Sequence, residues 1–321
     1  MALYGRKSRG DGRASAACAA GGGLLLDAVR SYHRHQRHPQ FPSAPPRWRW
    51  PLGTVILETV NDAAQKSNAI IRLVNISKSF GPLSVLKNVS LDVPPDKTLV
   101  VIGPSGGGKS VLLKHIIGLL KPDTGEVYFD NQRVDTLAEK GLEPMRQNFG
   151  FLFQMGALFD SMTVGQNIGF PLREHTRKTP AEIREVVMQK LAMVGLESTV
   201  NKMPGDLSGG QKKRVALARA IALNPRVVLY DEPTTGLDPI RSDVINELII
   251  KLKEELKVTS VVVTHDMTSA FKVGDDVVVL FGGKIAMRGT PDDIRNSPND
   301  EVQRFIHGRA TDEELKEVRR I

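Results

Sequence analysis

Eight consecutive residues carry the sharpest chemical signal in the chain. Gly103, Pro104, Ser105, Gly106, Gly107, Gly108, Lys109 and Ser110 satisfy G-x-x-x-x-G-K-[ST] at every fixed position. Glycines at this density let successive backbone N–H groups point into one concavity, which suits phosphate oxygens. A helix starting at Lys109 adds the positive end of its dipole. Lys109 supplies a mobile cation for the β- and γ-phosphates of a nucleotide, and Ser110 a hydroxyl for Mg²⁺. A bare glycine-rich turn would lack the flanks found here: the apolar run KTLVVI at 97–102 before the loop, and helical text from Val111 onward.

A second site of chemistry ends another apolar run. In RVVLYDE at 226–232, Asp231 and Glu232 follow a stretch suited to a buried strand. Such a strand delivers its C-terminal residues to the ligand crevice of an open α/β sheet. Asp231 is then placed to hold Mg²⁺ through water, and Glu232 to orient and polarise an attacking water. An apolar run ending in Asp-Glu is common by itself; the phosphate loop upstream gives this one its meaning. A third group, Leu207, Ser208, Gly209, Gly210 and Gln211, precedes a helix carrying Lys212, Lys213, Arg214 and Arg219. Ser208 is a helix-capping residue type, and two glycines let backbone approach a phosphate closely. One chain thus holds two anion-binding helix starts.

The elements that must position these groups alternate between strand and helix. Residues 70–77 read as a strand and 83–93 as a second strand pair. The apolar runs at 97–102, 226–230 and 258–263 read as buried parallel strands. Helical stretches lie at 180–194, 209–222 and 242–256, and Thr290-Pro-Asp-Asp293 has the cap, early proline and first-turn acids of a helix start. This order predicts an α/β core with a mainly parallel sheet.

The five residues LSGGQ at 207–211 are the signature of the ATP-binding cassette family, which the chain resembles. The family's other motifs follow in order. Phe80, in SKSFG, matches the aromatic that stacks on adenine; Gln154, in FLFQ, matches the glutamine that senses Mg²⁺ and the attacking water. Asp238, in TGLD, matches the loop that crosses the dimer interface, and His265, in VTHD, the histidine that contacts the γ-phosphate. Singly, Phe80 would read as a core or turn aromatic, Gln154 as a surface residue and His265 as structural. Their place in the series gives them weight.

The resemblance implies a P-loop NTPase core with a mainly parallel sheet, an antiparallel β subdomain and an α-helical signature subdomain. It implies a homodimer with ATP between the phosphate loop (Gly103 to Val111) of one protomer and Leu207–Gln211 of the other. It also implies catalysis by Glu232, His265 and Gln154, and Mg²⁺ held by Ser110, Gln154 and Asp231. A finer resemblance lies in FQMGALF at 153–159, TVGQNI at 163–168 and FPLREHT at 170–176, which are similar to Mla-type ATPases that serve MCE-domain lipid carriers. Cassettes contact their membrane permease near this segment, so Met155, Leu158, Phe159 and Met162 are candidates for that contact or for packing within the helical subdomain. The DGP-type tail of that group is absent. The rival readings are a cassette for another cargo, such as polar amino acids or a metal complex, and a soluble cassette acting on ribosomes or DNA. One set of motifs and the absence of any heptad run count against the latter.

Composition sets the outer bounds. The chain has 321 residues and a formal net charge of +8. Residues 1–57 hold nine Lys and Arg against two Asp, so the remaining 264 carry 35 basic and 34 acidic groups. The body is nearly neutral, which argues against a nucleic-acid partner. Cys18 stands alone in the leader, which excludes an internal disulfide or a Cys-based metal site. No run of about 18 apolar residues occurs. Residues 1–60 read as a disordered leader, a transit peptide or an upstream start site; 68–308 as the ATPase domain; and 309–321 as a short charged helix or tail. The expected location is the cytoplasmic face of the inner membrane, or the stromal side of an organelle if the leader is a transit peptide.

Overall fold

The computed structural model describes residues 68–310 and 315–316, within the second of the chain's two units, 63–321. The readings of the leader and most of the charged tail fall outside the described residues.

Two sheets organise the fold. The larger has the order β10 (Lys284–Gly289), β9 (Asp276–Phe281), β3 (Thr98–Ile102), β8 (Thr259–Thr264), β7 (Val227–Asp231), β6 (Phe149–Leu152). Every neighbouring pair is parallel except the β9–β10 hairpin at one edge. These strands read as unbroken apolar runs because both faces are covered. Leu99, Val101, Val227, Leu229, Val261 and Val263 point into one core. Their alternating neighbours Val100, Ile102, Val228, Tyr230 and Val262 point into another. The first core is closed by α1 (Lys109–Ile116) and by an antiparallel sheet of order β2 (Leu83–Val93), β1 (Ile71–Phe80), β4 (Thr124–Phe129), β5 (Gln132–Arg133). Between β5 and β6 lies α2 (Glu139–Arg146).

The other face carries α5 (Gly209–Ala220), α6 (Pro239–Leu256) and α7 (Met267–Val273), with α8 (Pro291–Arg295) and α9 (Asp300–Ile306) beyond β10. A third core joins α5 to α3 (Val164–His175) and α4 (Pro180–Met193) and forms the helical subdomain. The α/β class, the mainly parallel sheet and both subdomains agree with expectation.

Two local readings are corrected. The expected strand pair at 83–93 is a single strand. Asn88, with φ of 56°, sits at a register irregularity, where its N–H donates to Ser77 Oγ at 3.0 Å. An Asn in left-handed conformation looks like a turn in sequence, but a bulge uses the same geometry. The helix expected from 242 begins at Pro239, because Asp238 caps it and proline suits the first helical position.

Close packing joins the helical subdomain to the sheet at Gly150 in β6, where a Cβ would stand 2.5 Å from the Ala220 carbonyl oxygen. Gly150→Ala must therefore separate β6 from the end of α5. The expected cost is about 1–3 kcal/mol, read as a lower midpoint in chemical denaturation.

Candidate active site

The parallel strands all end at one edge, and the candidate residues are the ones that come next. β3 leads into Gly103 and the phosphate loop, β7 ends in Asp231 with Glu232 after it, His265 follows β8, and Gln154 lies two residues past β6. A cavity of about 430 Å³ gathers Phe80, Ser105, Gly106, Gly108, Lys109, Ser110, Val111, Gln154, Glu232 and His265. Such a crevice at the carboxyl ends of the strands is where open α/β sheets take their ligands.

The loop's form follows from its contacts. Gly108 has φ of 96°, and a Cβ there would meet the Leu86 side chain at 2.9 Å and the Val85 carbonyl at 3.1 Å, so a side chain would be strained and crowded against β2. Lys109 Nζ donates to the carbonyls of Gly103 (2.8 Å) and Pro104 (3.1 Å), curling its side chain back over the loop. Gly107 N–H also donates to Pro104, so Pro104 and Gly107 brace the loop and do not line the cavity. Burial lowers the proton affinity of Lys109, while Glu232, 3.8 Å away, and Asp231 oppose that shift. A buried ammonium held by carbonyl dipoles, with Glu232 only at the outer range of an ion pair, suits a phosphate as a further counter-anion.

Opposite the loop, Ser110 Oγ donates to Asp231 Oδ1 at 2.8 Å. Burial raises the pKa of Asp231 above the usual carboxylate range, and the Ser110 hydrogen bond offsets part of that. Glu232 has φ of 50°, a left-handed conformation rare for a residue with a side chain. Its N–H donates to Val263 O at 2.9 Å. Its Oε2 accepts from Thr235 Oγ1 at 3.2 Å and lies 2.8 Å from His265 Nδ1. Since a carboxylate oxygen only accepts, the ring nitrogen is the donor in that contact.

Phe80, at the tip of β1, is 46 % exposed. It therefore stands on the cavity lip with an open face and outside the core, with Lys78 Nζ 5.7 Å from its ring centre. Gln154 is exposed at the cavity wall.

The signature residues do not line this cavity. Ser208, Gly210 and Gln211 border a separate recess with Arg214 and Arg241. Ser208 caps α5, and Ser208 N–H donates to Gln211 Oε1 at 2.9 Å in a capping box. Ser208 and Gly209 are exposed. Leu207 is buried in the helical core, so its side chain anchors the segment and is not presented to a nucleotide. Asp238 accepts from Arg241 N at 3.0 Å as the cap of α6 and remains exposed.

Sequence reasoning gave no role to two basic residues of α5 that touch the site. Arg219 donates to the carbonyls of Gly156 (2.9 Å) and Ala157 (2.7 Å) and so fixes the loop that carries Gln154. Lys213, buried, donates to the Glu232 carbonyl at 3.2 Å. Both lay in plain view as cations on a helix, but charge alone gives no sign of facing inward.

Residues 86–235 match the family model described as ABC transporter. The chain is 41% identical over 248 residues to the probable ribonucleotide transport ATP-binding protein mkl of Mycobacterium leprae, covering 77% of this chain and 72% of that protein. It is 39% identical over 241 residues to the intermembrane phospholipid transport system ATP-binding protein MlaF of Escherichia coli, covering 75% of this chain and 90% of that one. Among solved structures, the ATP-binding cassette MJ0796 bound to ADP and Pi, a dimer in a post-hydrolysis state, superposes with a TM-score of 0.64 at 37% identity. That match covers 69% of this chain and 98% of that one. The structure of cbiO1 from Clostridium perfringens gives 0.67 at 29% identity, over 79% and 100% of the two chains. These relatives, near 40% identical, cover about three-quarters of the chain, and the chain belongs to the ABC transporter family, as its ATP-hydrolysing subunit.

Proposed function

We propose that this ATPase energises phospholipid transport, as a head-to-tail homodimer beneath a separate membrane permease that works with an MCE-domain lipid-binding protein. The observation that carries the cargo is the segment after Gln154. There Phe153, Phe159 and Phe170 of the Mla-like text, with Phe151 of β6 and Arg219 of α5, line an apolar groove of about 440 Å³. Met155 is 87 % exposed and Phe159 41 %, whereas Leu158 packs against the sheet and helical cores. Open aromatic and thioether surface of this kind suits a helical segment of a permease. MlaF, similar along most of its length, is named for phospholipid transport. Among the described residues no helix is long and apolar enough to cross a membrane. The proposed station is thus peripheral, on the cytoplasmic or an organelle's stromal face.

In the proposed chemistry the loop amides of Gly106, Gly108, Lys109 and Ser110 and the Lys109 ammonium hold the phosphates, and Phe80 stacks on the adenine. The oxygen donors of Ser110 and Asp231 fit Mg²⁺, which takes one or two carboxylates together with substrate phosphates; the raised pKa of Asp231 is the deficit such a cation would fill. When bound, the ion would neutralise charge on the phosphate oxygens. Gln154 reaches the same space from the permease-facing loop. Glu232 accepts a proton from the attacking water as the water approaches the γ-phosphate. His265 steadies the carboxylate through Oε2, and Lys109 balances charge at Oε1. Because Ser208 opens away from this cavity, it serves the partner's ATP, and Asp238 meets the partner across the interface.

Glu232→Gln is expected to keep ATP binding and lose most turnover, leaving a long-lived ATP-bound dimer in size-exclusion chromatography; turnover at the parent rate removes Glu232 from this role. Mixing Ser208→Arg with Lys109→Ala protomers should restore part of the ATPase rate, since some heterodimers retain one complete composite site. No recovery on mixing would mean that loop and signature act within one chain. Affinity capture from detergent extract should recover a multispanning permease and an MCE protein, and Phe159→Asp should abolish that capture while ATP binding persists. Recovery of ribosomes or DNA instead would overturn the transport reading.

A further inference from the structure

Glu232 is gripped from two helices, one starting at the phosphate loop and one at the signature. From α1, Lys109 approaches Oε1 at 3.8 Å. From α5, Lys213 sends its ammonium into the interior, 6 % exposed, to the Glu232 carbonyl oxygen at 3.2 Å. A buried ammonium is expensive, and an apolar side chain would fill the same space at less cost. Burial lowers the Lys213 pKa to about 8, with the Glu232 charge partly restoring it. The contact falls on the backbone carbonyl of the residue held at φ 50°, and Thr235 N–H donates to that same oxygen at 3.3 Å.

Five residues before Lys213, on the same helix, is Ser208, about 7.5 Å away along the axis. The helix between them is continuous and starts in a closed capping box. A shift of α5 on engaging an anion at Ser208 therefore moves the Lys213 ammonium, and with it the peptide that aims Glu232.

We propose that Lys213 is a positioning residue that ties the catalytic glutamate to the signature helix, so that engagement of the partner's nucleotide at Ser208 sets the pose of Glu232 over its own protomer's nucleotide. The inference rests on the proposed roles of Glu232 and Ser208. It explains why a cation occupies a buried position on the signature helix: it joins the two composite sites of a dimer through one side chain.

The test uses the full-length ATPase with Lys213→Met, which keeps an unbranched stem without the charge, and Lys213→Arg, which keeps the charge. Lys213→Met should lower kcat about tenfold or more while KM and the ATP Kd stay within about twofold, and Lys213→Arg should recover most of the loss. Ser208→Ala supplies the second arm. If Lys213 relays engagement, the Ser208→Ala/Lys213→Met double variant turns over within about twofold of the slower single variant. The proposal is overturned if Lys213→Met keeps kcat within about twofold of the parent, if Lys213→Arg is as slow as Lys213→Met, or if the two single losses multiply. Should Lys213→Met not fold, Lys213→Gln is read by the same criteria. Loss of turnover in Glu232→Gln with full turnover in Lys213→Met sinks this inference alone, whereas unchanged turnover in Glu232→Gln sinks the reading beneath it.

Discussion

The peptide at Glu232 is the constraint on which the reactive end of the molecule depends. β7 runs through the sheet as an ordinary buried strand until Asp231, and then the chain turns left-handed at φ 50°. For a residue with a Cβ this conformation costs on the order of 1–2 kcal/mol, so the surroundings must hold it. They do so from three sides: the N–H bonds to β8 at Val263, while the carbonyl accepts from Thr235 and from Lys213 on α5. The turn throws the carboxylate sideways along the sheet edge toward His265 and Lys109, where a continuing strand would have carried it onward. Strain held by a well-determined frame is a recognised property of reactive centres.

That frame exists because the parallel strands are covered on both faces. Alternate residues of β3, β7, β8 and β9 feed two separate cores, and their common direction brings every strand's C-terminal end to the same edge. Loops that leave this edge carry function, while the layers behind them fix position. The third core, inside α3, α4 and α5, meets the sheet's cores through α5, Leu158 and Met193. α5 thus belongs to the helical subdomain and also touches the loops at the sheet edge, through Arg219 at Gly156 and Ala157 and through Lys213 at Glu232.

The separation between the phosphate-loop cavity and the signature recess follows from the same layout. Ser208 sits at the outer start of α5, exposed, while the cavity opens at the sheet edge. The two recesses differ in chemistry: one has loop amides, Lys109 and acidic groups; the other has a capped helix start flanked by Arg214 and Arg241.

Much of this was legible in the sequence for physical reasons that are local. A phosphate loop needs glycines and a lysine in a fixed order, a strand buried on both faces must be apolar throughout, and a capping residue must precede its helix. Those rules located Gly103–Ser110, the runs at 97–102 and 226–230, and the start of α5. They misplaced what depends on distant neighbours. Asn88 looks like a turn until β1 is beside it, and Leu207 looks like a ligand contact until the helical core closes over it. Local rules also gave Lys213 and Arg219 no individual role on their helix, since nothing in a helical sequence says that a lysine will point inward at a carbonyl. The sequence alone determined the chemistry the chain can perform, because residue types set it. Only the tertiary structure decided which groups hold Glu232 in its left-handed pose and that the signature opens into a recess separate from the phosphate-loop cavity, because both are matters of position between segments far apart in the chain.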